Sequence, residues 1–385
     1  MLLIKNADLY TMEGAGRIKG GDVLVDGGKI AAVGANLSAP GARIIDARGR
    51  TVTPGFVDAH SHLGMWEDGM GFEGLDGNEA VNPATPGLRA LDAVNPVDPC
   101  FAEAYQTGGV VTAAVGPGSA NVIGGQFLAM KTFGRTMSDM VIREPIALKT
   151  AFGENPKRVY SNQKRTPSTR MGTAKVFREK FIEAREYIGR MENPDPDKRP
   201  ARDLDMEILA AALKGEIQVK MHAHRADDIL TAVRLAEEFG LDATVDHCTE
   251  GYLILDELKK ARVRGFLLGP LLSDRSKIEL RNMTFRAPAE FYRAGVPFAL
   301  ITDHPFVPVQ FLRVQAGVCV SEGLPEYEAL RSITINAARI LGLEDRVGSI
   351  AAGKDADIVI FDGDPLDCRS RVATTIINGD VVFER

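Results

Sequence analysis

The sequence predicts a (β/α)8 TIM barrel with a small composite β-sandwich domain formed by both chain termini. Three observations predict it. Through the middle of the chain, short apolar runs alternate with helix-period segments, the pattern of a parallel sheet with crossover helices. Both ends read instead as short strands joined by tight turns. The six histidines all fall at or just past the ends of apolar runs, where barrel enzymes carry their chemistry.

At the N-terminus, residues 22–26 and 29–33 flank Gly27 and Gly28, a hairpin signal. At the C-terminus, residues 356–361 form an apolar run, 363–365 turn the chain, and 374–378 with 381–383 suggest another hairpin around Gly379 and Asp380. Neither end can bury a core alone. Residues 1–53 and 346–385 are therefore expected to pair into one β domain, with the barrel in residues 54–345.

Within the barrel span, apolar runs end in polar punctuation at 51–60, 110–115, 145–150, 217–222, 243–247, 263–269 and 296–302. Helix-period segments follow several of them. Residues 226–239 place Ile229, Leu230, Val233 and Phe239 on one face, open with acidic residues and stop at Gly240. Residues 174–191 and 325–341 behave alike. The span suits a barrel, typically ~250 residues before insertions. A doubly wound sheet is the alternative, but no GxGxxG follows an early strand. Residues 63–99, which hold the only tryptophan, Trp66, and 153–170 are irregular stretches longer than the ~12–15 residues of ordinary loops, and are expected over the site. Residues 193–200 read as a solvated linker.

Composition narrows the function classes. The net charge of −6 gives no basic footprint, which argues against a nucleic-acid partner. Cys100, Cys248, Cys319 and Cys368 lie far apart without a CxxC pair, so neither a thiolate zinc site nor a disulfide framework is expected. The opening MLLIKNADLY lacks a basic, apolar and small-residue leader, and no apolar run reaches the ~18–20 residues of a membrane span. A cytoplasmic protein without a membrane partner is the expectation; a homo-oligomer is left open.

The histidines give the chemistry. His60 and His62 stand two apart at a strand end, so both point to the barrel interior at its active mouth. His222 and His224 end the run at 217–224, His247 ends 243–247, and Asp303 with His304 follows 296–302. Two imidazoles from His60 and His62, nitrogens from His222 and His247 and an oxygen from Asp303 make a site that zinc accepts, with a position left for water. Metal binding lowers the pKa of that water from roughly 16 to about 7. Asp303 is then placed to take its proton and pass it to a leaving group. Asp303 and His247 are the catalytic candidates.

The ordered set GFVDAHSH, VDH, TDHP and GSIAAGKDADIVIFD resembles the amidohydrolase superfamily, and within it the imidazolonepropionase-like amidohydrolases. The resemblance covers essentially the whole chain. It implies a ligand pair from the first barrel strand (His60, His62), single histidines from the fifth and sixth (His222, His247) and the aspartate of the eighth (Asp303). In MHAH the resemblance selects His222 as ligand and gives His224 a substrate-binding or supporting role. Two-metal members add a carboxylated lysine or a glutamate from strand four. Here that is Lys149 as a carboxylysine or its competitor Glu154; a mononuclear site would use neither. His304 is assigned to packing or capping.

Basic residues after the strand ends indicate an anionic substrate. Arg170, Arg275 and Lys277 are the candidates for a carboxylate or phosphate, whereas Lys157, Arg158, Lys164 and Arg165 read as solvated surface. Gln126 and Asn121 could add neutral hydrogen bonds or serve as turn residues. The expected function is hydrolysis of the C–N bond of a small carboxylate-bearing amide, peptide or cyclic amide, with one or two divalent ions, zinc first. Hydrolytic deamination of an amino-substituted ring is the alternative. A non-catalytic scaffold fits less well, because every ligand position is filled.

Overall fold

The computed structural model describes residues 1–14 and 16–385. The chain opens with β1 (Leu2–Tyr10), β2 (Arg17–Asp26), β3 (Lys29–Gly34), β4 (Arg43–Asp46) and β5 (Thr51–Pro54). It then builds an eight-stranded sheet from β6 (Phe56–Ser61), β7 (Val110–Val115), β8 (Ile123–Lys131), β9 (Val141–Ala151), β10 (Gln218–Ala223), β11 (Ala243–His247), β12 (Gly265–Leu268) and β13 (Phe298–Leu300), hydrogen-bonded in sequence order. It ends with β14 (Ile358–Phe361), β15 (Val372–Ile377) and β16 (Asp380–Glu384).

The termini meet as expected. β14 pairs antiparallel with β5, Ile358 opposite Pro54 and Phe361 opposite Thr51, which joins both ends of the chain in one eight-stranded sheet. That sheet encloses its own apolar cluster, including Ile4, Val23, Ile30, Val52, Ile358 and Ile376.

The barrel departs from a uniform parallel pattern at one strand. β8 runs antiparallel to both β7 and β9. The link between β7 and β8 is too short for a crossover helix, which needs a dozen or more residues. The strand therefore folds straight back, with all nine of its residues buried. No ladder joins β13 to β6. The seam is closed just beyond β13, where the Asp303 N–H donates to the His60 carbonyl at 3.1 Å and the His62 N–H to the His304 carbonyl at 3.0 Å. The buried Asp58 carboxylate reinforces it by accepting the Thr302 hydroxyl.

Several helices sit where the periodicity puts them. Ala226–Phe239 ends on Gly240 in the left-handed region at φ 68°, where a residue without Cβ is favoured. The helix expected at 174–191 starts a turn earlier, as Arg170–Met191, because the Thr169 side chain caps it by accepting the Gly172 N–H. The helix expected at 325–341 is two, Glu326–Ser332 and Ile335–Leu341, broken at Thr334, whose backbone leaves the helical region. The stretch 153–170 holds a helix as well, Glu154–Asn162. Among the described residues no helix is long and apolar enough to cross a membrane.

A buried charge cluster joins the barrel to the terminal sheet. Lys131, at the end of β8, reaches Asp355 at 3.0 Å and also pairs with Asp357. Asp355 further accepts from Lys29 at 2.5 Å and Arg346 at 2.9 Å. Burial works to raise the Asp355 carboxyl, but Lys131 and the bond from Lys29 hold it down at about 2. Its contribution to stability is thus complete above its ordinary value of 3.8 and lost as pH falls through about 2. Replacing Lys131 by Met should cost about 3 kcal/mol, because two buried carboxylates lose their shared cation. Urea unfolding checks this, and an unchanged midpoint would show that Lys29 and Arg346 suffice.

Candidate metal centre and catalytic site

Strand alternation and the closed seam bring six polar side chains to one end of the barrel. β6 delivers His60 and, one residue past its end, His62. β10 delivers His222, with His224 just beyond; β11 delivers His247; and Asp303 arrives from beyond β13. All are buried. Their ligand-type atoms fall into two groups, each within 4.8 Å: His60, His62 and Asp303, and His222, His224 and His247. The groups adjoin, with the His60 and His247 rings 5.1 Å apart between centroids.

Hydrogen bonds at the back of the rings fix which nitrogen faces the centre. His60 Nδ1 lies 2.6 Å from Asp246 Oδ2, His62 Nδ1 2.6 Å from the Gly116 carbonyl and His247 Nδ1 2.9 Å from the Gly269 carbonyl. Carbonyl and carboxylate oxygens only accept, so these nitrogens carry the proton, and in the neutral rings of His60 and His247 Nε2 keeps the lone pair. His62 Nε2 is 3.1 Å and His60 Nε2 3.5 Å from Asp303 Oδ1. Burial holds the His60, His222 and His224 imidazoles well below their ordinary value and His247 down at about 4, so these rings are neutral at physiological pH. Burial works to raise Asp303, but His247 and the bond from His62 hold it below the usual carboxylate range.

This donor set fits a divalent cation of borderline hardness. Neutral imidazole lone pairs and one carboxylate converge, and His222 Nδ1 is a buried polar atom without a hydrogen-bond partner. Two of the contributing residues are also held in the left-handed region, His247 at φ 73° and Asp303 at φ 54°. Such backbone costs about 1–3 kcal/mol per residue and concentrates at functional sites.

Lys149, on β9, is fully buried, and its Nζ lies 3.0 Å from His60 Nε2. Burial pushes its pKa down to about 8. Glu154 stands at the start of its helix, 3.7 Å from Arg158, and belongs to neither group. The Gly153 before it has φ 81°, and a Cβ there would come within 3.0 Å of carboxylate oxygens of both Asp228 and Glu279.

A cavity of about 330 Å³ opens above the histidines, with His62, Trp66, Asn155, His222, Lys277 and Asp303 among its walls. Trp66 meets His62 edge-on at 4.3 Å, so the irregular stretch 63–99 does reach over the site. Lys277 is held by Glu279 at 2.7 Å, Asn155 at 3.2 Å and His224 Nε2 at 3.4 Å. His224 donates from Nδ1 towards Thr249 Oγ1 at 2.8 Å.

Other residues singled out from the sequence stand elsewhere. Arg170 makes a two-pronged pair with Asp228 at 2.8 and 2.9 Å and faces a separate hollow, since the start of its helix abuts that buried acid. Arg275 donates to the Met283 carbonyl at 2.7 Å and braces its own loop. Gln126 bonds the carbonyls of Pro86 and Gly87, and Asn121 bonds Glu79 and Thr85; both tie the long stretch 63–99 to the barrel. His304 Nδ1 accepts the Val309 N–H at 3.2 Å, a packing contact. Asn155 and Glu279 carry no motif that reveals them. Asp246 and Lys220 do leave a signal, as charged residues inside apolar strands.

The profile of the Amidohydrolase family matches residues 51–382. The chain is 32% identical over 377 residues to the amidohydrolase tasK of Hapsidospora irregularis, an alignment covering 89% of this chain and 37% of that protein. It therefore spans little more than a third of that relative's length. It is 26% identical over 356 residues to the imidazolonepropionase of Treponema denticola, covering 84% of this chain and 80% of that one. An amidohydrolase structure from Thermotoga maritima MSB8 superimposes over the whole of both chains with a TM-score of 0.96 at 45% identity.

Chelation should destabilise the protein, since a ligand at a hundredfold excess over its Kd stabilises the folded state by about 2.7 kcal/mol. The expected result is a lower Tm after dialysis against a chelator, restored by adding divalent metal. An unchanged Tm, with no metal found by elemental analysis before or after loading, would remove the metal centre.

Proposed function

The chain belongs to the amidohydrolase family, and on that premise we propose that it is a metal-dependent hydrolase cleaving a C–N bond of a small carboxylate-bearing amide, peptide or cyclic amide. The observation that carries the reading is the convergence of neutral imidazoles and one ionised carboxylate beneath a substrate-sized cavity. The reading puts the chemistry in residues 54–345 and treats 1–53 with 346–385 as a supporting unit.

His60, His62 and Asp303 would hold one ion, and His222 and His247 a second, with zinc the expected metal. When bound, the metal supplies a Lewis acid and an acidified water. Asp303 acts as the proton carrier: ionised at neutral pH, it accepts a proton from the attacking water and returns it to the leaving nitrogen. His247, whose Nδ1 lies 3.9 Å from Asp303 Oδ2, steadies that carboxylate.

Lys149 is proposed to become a carboxylysine shared by the two groups. Its depressed pKa makes the neutral amine accessible, and its charge bears on His60, His222 and His247 alike. Lys277 replaces Arg170 and Arg275 as reader of the substrate carboxylate, because its ammonium lies on the cavity wall and theirs do not. Trp66 and Phe306, their rings 6.1 Å apart between centroids, add an apolar part to the same wall.

The direct test is a screen of metal-loaded protein against dipeptides, N-acyl amino acids and cyclic amides, each beside its neutral amide analogue. Turnover favouring the acids is expected, and no C–N hydrolysis across all three classes would sink the reading. On a confirmed substrate, Asp303→Asn should lower kcat by ~10²–10⁴-fold with metal content nearly kept. Near wild-type turnover would end the proton-carrier role. For Lys149→Ala, the expectation is a fall in bound metal from two ions per chain towards one, partly reversed by short carboxylic acids. Unchanged stoichiometry would exclude the carboxylysine.

A further inference from the structure

Beneath the histidine layer lies a second buried polar layer that touches neither the cavity nor solvent. Lys220 stands on β10 two residues before His222, so alternation turns it to the same inward face. Its ammonium is fully buried, 3.0 Å from Asp246 Oδ2 and 3.0 Å from the Ala59 carbonyl. Asp246, equally buried on β11, receives His60 Nδ1 on that same Oδ2 at 2.6 Å and the Thr244 hydroxyl on Oδ1 at 2.6 Å. The Phe127 ring of β8 closes the layer, its centroid 5.4 Å from Lys220 Nζ.

An ammonium sealed inside a barrel is costly, several kcal/mol per ion, and a methionine would fill the same space without that cost. Packing therefore does not explain Lys220. Its surroundings do. Asp246 Oδ2 takes two donors at once, Lys220 from one side and His60 from the other, so this oxygen can serve the ring only as an acceptor. With its back nitrogen bound to an obligate acceptor, His60 must present a bare Nε2 to the centre. The contact to the Ala59 carbonyl, immediately before His60, ties the same cation to the strand that carries the ring.

We infer that Lys220 is a positioning residue that acts through Asp246 to hold His60 in the tautomer and orientation a metal ligand requires. The inference rests on the reading of His60 as a ligand. Lys220 itself reaches neither substrate nor the reacting atoms.

The test measures zinc affinity by chelator competition on the full chain, for wild type, Lys220→Met and Lys220→Gln. Loss of such supporting partners typically weakens metal binding 10–100-fold, and Lys220→Met should fall in that range. Lys220→Gln, which keeps a donor but no charge, should lie between it and wild type. In metal-free protein, ¹⁵N shifts of His60 should report the Nδ1–H form in wild type and a mixture of tautomers in Lys220→Met. A purely structural lysine would lower Tm without moving either readout. If Lys220→Met does not fold, Thr244→Val removes another Asp246 donor without burying a new charge, and a smaller loss in the same direction is expected. A folded Lys220→Met, or failing that Thr244→Val, with unchanged zinc affinity and an unaltered His60 tautomer would overturn the inference. A wild type that binds no zinc would instead bring down the ligand reading itself.

Discussion

The seam between the first and last barrel strands is the constraint on which the rest of the site depends. His60 and His62 stand near the beginning of the barrel and Asp303 near its end, yet His62 Nε2 and Asp303 Oδ1 lie 3.1 Å apart. No β ladder imposes this. The seam is made instead by reciprocal backbone bonds from Asp303 to His60 and from His62 to His304, with Asp58 gripping Thr302 below them. Asp303 takes up its left-handed backbone at this junction, so the closure that completes the barrel also aims the carboxylate. The unfavourable dihedral persists because the surrounding bonds over-determine it.

Seen from this seam, the interior separates by charge state. The upper layer holds imidazoles that burial keeps neutral, those of His60, His222, His224 and His247. The layer below holds fixed charges, Lys220 and Asp246, that meet each other, the back of the His60 ring, the Ala59 carbonyl and the Thr244 hydroxyl. Phe127 stands between the layers and packs against His60, Lys149 and Lys220 together. An aromatic face is well suited to this, since it tolerates a nearby cation without competing for its hydrogen bonds.

The parts legible in the sequence are those that follow from local periodicity. Alternation along a strand is a property of neighbouring residues, so the inward aim of His60 with His62 can be read without knowing the fold. Strands at both termini announce their pairing because neither end can bury its apolar face alone. β8 was not legible: GPGSANVIGGQ looks like a loop, and its burial on every side removes the polar alternation that marks a strand. Arg170 and Arg275 were misplaced for a different reason. Which acceptor an arginine takes is settled by the fold, and these two take Asp228 and the Met283 carbonyl. Lys220 and Asp246 stood in plain view inside apolar strands, but their meaning depends on a partner in another strand.

The position of Trp66 has a further use. It is the sole tryptophan of the chain, and it stands edge-on against His62 on the wall of the cavity. Ultraviolet emission from this protein therefore originates chiefly at one point, within contact distance of a ring in the histidine cluster. Any change in the polarity or occupancy of that corner alters the light the whole molecule emits. The fold has in effect placed a single optical probe at its own chemical centre, with no label required.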